Sequence, residues 1–141
     1  MHDLPRQLSI EELAELFEGR TRFVERLAGL EDPLGRAREV AAQLSDEEKK
    51  EVLDAHPAIG AKTLSMRSAA EQGVDEAPEL DALNRAYEER FGFRFVVFVN
   101  RRPKSAIAAV LRERLERTRE QELSTALDEL VSIAEDRWQH S

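Results

Sequence analysis

The sequence predicts an all-α, single-domain multi-helix bundle, and three observations carry that prediction. Helix-start signals recur at Ser9, Thr21, Asp32-Pro33 and Ser45. In the second half, apolar residues return at helical spacing along Leu80, Leu83, Tyr87 and Phe91 and again along Leu123, Leu127, Leu130 and Ala134. Only Phe93-Arg94-Phe95-Val96-Val97-Phe98-Val99 has strand propensity, and no second segment of similar strength exists to pair with it.

The elements follow in order. Ser9-Ile10-Glu11-Glu12 fits a capping box, with Leu8 and Leu13 placed to staple the entry of a short helix that runs to about Phe17 and is closed by Gly19. Thr21 opens a second helix through Phe23, Val24 and Leu27 to Gly29. Asp32 and Pro33 supply the N-cap and first-turn proline of a third that ends near Leu44. Ser45 caps a fourth, which stops near Ala55 because Pro57 disfavours helical backbone at His56. From Ile59 to Ala77 the pattern weakens, and a long functional loop with one helical turn at Ser68 is expected. Pro78 opens the next helix, up to Gly92. Residues 93–99 then form a buried extended connector. After the Asn100 to Pro103 turn, Ile107, Val110, Leu111 and Leu115 mark one helix, and the Leu123 stripe marks the last.

Composition bounds the function. A chain of 141 residues fits one domain over 1–141 and buries about two-thirds of its unfolded surface. The net charge of −8 and pI near 5.0 oppose a nucleic-acid partner, which draws on a basic surface. The absence of cysteine excludes disulfides, thiolate metal sites and Cys nucleophiles, and it fits a cytoplasmic protein. No secretory leader is visible at Met1 to Pro5, and no apolar run approaches the roughly 18 residues of a span, so no membrane partner is expected.

Of three histidines, His2 and His140 fall in expected tails, which leaves His56 as the group held by packed structure and able to titrate near neutrality. A histidine at a helix exit also has a purely structural use as a cap. Extending the last apolar stripe from Ala134 by three lands on Arg137, so a guanidinium falls on the core side. It either needs an anionic partner there or snorkels out at the helix end. Ser68-x-x-Glu71 reads as a capping box or as part of a site. No second His or Cys stands at ligand spacing from His56, so no metal is expected. No nucleophile elbow, P-loop or dinucleotide fingerprint occurs, so cofactor-independent acid/base chemistry is what an enzyme reading leaves.

Four ordered motifs take this further. His56-Pro57-x-Ile59-Gly60, Ser68-x-x-Glu71-Gln72, Leu83-Asn84-x-x-Tyr87-x-x-Arg90-Phe91-Gly92-Phe93-x-Phe95 and Ile133-Ala134-x-x-Arg137 together resemble the 2-oxo-4-hydroxy-4-carboxy-5-ureidoimidazoline (OHCU) decarboxylase family, from about Leu13 to Trp138. The resemblance implies an all-helical, generally homodimeric, cofactor-free lyase of urate catabolism that takes the small molecule OHCU to (S)-allantoin with loss of CO2. It implies His56, Glu71 and Arg137 as catalytic residues. It also implies Pro57, Ser68, Glu71 and Gln72 as substrate-binding positions, with Phe95, Val96, Val97, Phe98 and Val99 lining the pocket. Ala58 stands where the family commonly has an acid, and Arg94 where it commonly has proline. Two other readings stand beside this one: a non-catalytic helical interaction module, and a lyase acting on a related ureido-imidazole.

Overall fold

The computed structural model describes residues 7–56, 79–100 and 102–140, and these carry seven helices and no strand. In order they are α1 (Ile10–Leu16), α2 (Arg22–Leu27), α3 (Pro33–Ala42), α4 (Asp46–Asp54), α5 (Glu79–Phe91), α6 (Lys104–Arg114) and α7 (Arg119–Gln139). The all-helical expectation holds, and its start signals act as read. Ser9 and Ser45 each close a capping box, and the Thr21 side chain accepts from the Val24 amide. One start was not anticipated. Thr118 caps α7 in a third box with Gln121, so the longest helix begins well before its apolar stripe. At its far end His140 is the C-cap, with Nδ1 2.8 Å from the Asp136 carbonyl, rather than a residue of a loose tail.

Helix α7 is the spine. Helices α1, α3 and α4 pack on it, and α2 packs against α1, α3 and α4. The core runs from Leu13, Phe17 and Phe23 through Leu34 and Leu53 to Leu130 and Ala134, all buried. Phe17 meets Phe23 edge-on with ring centroids 5.1 Å apart, which fixes the α1–α2 turn. The Arg22 amide donates to Glu51 Oε1 at 2.8 Å, tying the start of α2 to α4.

The expected connector is confirmed. Residues 94–99 take neither helix nor strand, and Phe95, Val96, Val97 and Val99 are buried while Phe98 is half-buried. With no strand to pair with, several of its backbone groups are held by side chains instead. The Arg94 amide donates to Asp54 Oδ1 (2.9 Å), Arg114 Nη1 donates to the Val96 carbonyl (2.9 Å), the Phe98 amide donates to Glu129 Oε1 (3.3 Å), and Arg102 Nη2 donates to the Phe98 carbonyl (2.6 Å).

Behind the connector lies a polar knot. Glu122, fully buried, accepts from the Tyr87 hydroxyl (2.6 Å), Arg114 Nε (2.7 Å) and Arg117 Nη1 (3.0 Å). Burial, then the bond to Glu122, pushes the Tyr87 hydroxyl well above the ordinary phenol range, so it stays a donor. Glu122→Gln leaves Arg114 buried without its counter-charge. It should cost about 3–5 kcal/mol in urea unfolding, and a loss below about 1 kcal/mol would show that the knot does not hold the fold.

Candidate active site

Helix α4 ends at the C-cap Ala55, and the next residue is His56, whose amide donates to the Leu53 carbonyl at 3.2 Å. The imidazole is 5% exposed. Its Nε2 is buried with no hydrogen-bond partner among the described residues. The backbone is pinned from the connector side, where Arg94 Nη1 donates to the His56 carbonyl at 2.5 Å. Arg94 Nε also lies 3.5 Å from Glu88 Oε1, within ion-pair reach but long for a hydrogen bond. The Arg94 side chain thus steadies the histidine turn.

On the opposite side stands Arg137, on the core face of α7 and 3% exposed. The snorkelling alternative is therefore overturned, because α7 continues beyond it to Gln139 and its guanidinium is turned inward. Its Nη1 donates to the Leu16 carbonyl at 3.1 Å and lies 3.1 Å from Glu18 Oε1. A buried guanidinium requires such an anion, and Glu18 supplies it.

Glu18 is the residue the sequence reading missed. It follows the α1 C-cap Phe17 and has a left-handed backbone, with φ 64°. The next residue, Gly19, lies against α4, where a Cβ would come within 3.2 Å of Ala55 Cβ. That close approach sets the α1 exit against the α4 exit and brings Glu18 into electrostatic range of His56. A signal did exist: an acid at a helix C-terminus opposes the helix dipole, and a residue placed against its local preference invites a tertiary explanation.

These charges act on one imidazole. Burial, then the Arg137 and Arg94 cations, push His56 down to about 3, and Glu18 pulls in the opposite direction. Near neutral pH the ring is uncharged, so it begins as a proton acceptor. The structure thus brings together His56 and Arg137 of the expected catalytic set and adds Glu18 and Arg94. Pro57, Ser68, Glu71 and Gln72 lie outside the described residues. Phe95 to Val99 begin beside His56 through Arg94 and run into the core. No group of three or more potential metal-binding side chains occurs among the described residues. A groove of about 360 Å³ between α3, α4 and α7, lined by Ala41, Leu123 and Leu127 among others, includes neither His56 nor Arg137 and lies apart from this site.

The helical scaffold that carries this site is shared with a solved structure. A crystal structure of OHCU decarboxylase in the presence of (S)-allantoin shares the fold with a TM-score of 0.74 over 89% of this chain and 94% of that one, at 23% identity. The chain belongs to the OHCU decarboxylase family, whose model matches residues 2–139. Among relatives, the 2-oxo-4-hydroxy-4-carboxy-5-ureidoimidazoline decarboxylase of Haloferax volcanii is 38% identical over 114 residues, covering 74% of this chain and 68% of that protein. The protein of the same name from Halalkalicoccus jeotgali is 31% identical over 99 residues, covering 64% of this chain and 56% of its own.

Proposed function

We propose that this protein decarboxylates OHCU to (S)-allantoin in urate degradation, with His56, Glu71 and Arg137 as its catalytic residues. The observation that carries the reading is the buried, uncharged His56, whose Nε2 no described residue bonds, in the electrostatic field of Arg137, in a chain of this family. The substrate carboxylate leaves C4 as CO2, the electron pair left behind forms a C4=C5 bond, and the displaced pair of the adjacent ring C=N goes to its nitrogen, which takes a proton from solvent, so no separate electron sink is required. The 4-hydroxyl then becomes the carbonyl of the product, giving up its proton, while C5 gains one. An uncharged imidazole suits this transfer, because it can take the hydroxyl proton and return a proton to one face of C5, which sets a single stereoisomer. Arg137 offers a planar fork to the carboxylate. Glu71 and Gln72 suit the ureido and ring amide groups, with Pro57, Ser68 and the Phe95 to Val99 connector completing the pocket. The reading takes residues 1–141 as one domain acting as a cytoplasmic homodimer. The lack of cysteine supports the compartment, and the family resemblance supports the dimer.

The test is to generate OHCU in situ from urate and follow optical activity as the protein is added. Faster appearance of (S)-allantoin is expected, whereas formation of racemic product at the uncatalysed rate would reject the assignment. Arg94 at the histidine turn favours a second reading, a lyase of a related ureido-imidazole, which predicts turnover of that compound in preference to OHCU.

Glu71→Gln tests the loop. It preserves length but removes a carboxylate's capacity to accept from several donors. Activity should fall with little change in melting temperature. Normal activity with a modest loss of stability would assign Glu71 to a helix cap instead.

A further inference from the structure

Glu18 is unfavourably placed on three counts. Its left-handed backbone is uncommon for a residue with a long side chain. Its charge faces the negative end of α1. Its carboxylate is largely withdrawn from water, with the side chain 13% exposed. Each is a cost, and together they place one anion 3.1 Å from Arg137 Nη1, the same nitrogen that donates to the Leu16 carbonyl.

We propose that Glu18 is a positioning residue for the decarboxylation, holding the Arg137 guanidinium at the angle from which it meets the substrate. The proposal rests on the reading of His56 and Arg137 as catalytic. The clamp has two jaws of different kinds. The Leu16 carbonyl fixes where Nη1 sits, and the Glu18 carboxylate fixes the charge it faces. Without the carboxylate the charge that Arg137 Nη1 faces is lost, and the orientation from which the guanidinium meets a substrate carboxylate changes. Glu18 need not touch the substrate to do this.

The experiment is a double-mutant cycle on the full chain, using Glu18→Gln and Glu18→Asn with and without Arg137→Lys. Asn is included because it adopts left-handed backbone more readily than most residues, so the turn is retained when the charge is lost. With Arg137 present, either Glu18 change should lower kcat/KM by about tenfold or more. In the Arg137→Lys background the same change should cost less than about twofold, because the group Glu18 acts through is gone. Melting temperatures measured alongside report the purely structural share of the ion pair. Equal losses in both backgrounds, wild-type kinetics, or failure of both Glu18 variants to fold would each overturn the proposal. An impaired Arg137→Lys enzyme beside unimpaired Glu18 variants rejects this proposal alone. An unimpaired Arg137→Lys enzyme removes the reading of Arg137 and this proposal with it.

Discussion

Replacement of His56 by alanine or asparagine should lower kcat by about 10²- to 10⁴-fold, the usual contribution of a positioned acid/base group. The site gives this expectation its form. His56 is buried with no described residue bonded to its Nε2, and burial, then the cations around it, keep it uncharged, so its value lies in the proton it accepts and returns. Asparagine is the better test because it fills more of the site than alanine and limits the cavity left in a packed wall. Retention of more than about half of wild-type kcat would remove His56 from the assigned role.

The same substitution carries a pH signature. The folded pKa of about 3 lies below the ordinary value of 6.5, so between these values the unfolded chain takes up a proton that the folded chain refuses. The resulting destabilisation is absent above 6.5 and grows as pH falls towards 3. His56→Asn has no such group. Its unfolding free energy should therefore decline less steeply than that of the wild type as pH falls from 6.5, which urea melts at several pH values will read.

Arg137→Lys should lower kcat/KM by at least about tenfold, or roughly 1.4 kcal/mol of transition-state stabilisation. Lysine keeps the charge but not the fork. At Arg137 one nitrogen already serves both the Leu16 carbonyl and Glu18, and a single ammonium on a different stem cannot hold both contacts and present a planar face to a substrate carboxylate. A lower melting temperature is also expected, since the Leu16 contact joins α1 to α7. Unchanged kinetics with a lowered melting temperature would make Arg137 a structural strut. Unchanged values of both would show that the buried contacts carry no weight.

The helix starts were readable because their causes are local. Ser9, Thr21, Asp32 and Ser45 each satisfy the amide three residues on, and that geometry depends on little beyond the neighbouring chain. Thr118 is equally local, and its box with Gln121 starts α7 upstream of the Leu123 stripe that marks this helix in the sequence. The connector at 93–99 was legible through an imbalance: strand propensity without a partner strand has to be resolved by burial and by side-chain hydrogen bonds.

The site was legible in part. The position of His56 at a helix exit follows from Pro57, and the inward face of Arg137 follows from its place in the Leu123 stripe. Each residue alone had an ordinary structural use, and only their ordered motifs tied them to one family. Glu18 left no periodic trace. It lies in a two-residue turn, outside any amphipathic pattern, and its partner is 119 positions away (137 − 18).

The sequence by itself determined the helical class, the caps, the stop before Pro57 and the positions of the histidine and arginine that a family resemblance could join. Those properties arise from interactions within a few residues, where backbone geometry and spacing decide the outcome. Tertiary structure alone decided that α1 and α4 end against each other, that Arg137 meets Glu18 rather than solvent, and that His56 is uncharged. These depend on burial and on charges brought close by packing, and electrostatic energy depends on distance and dielectric, neither of which is encoded at any single position.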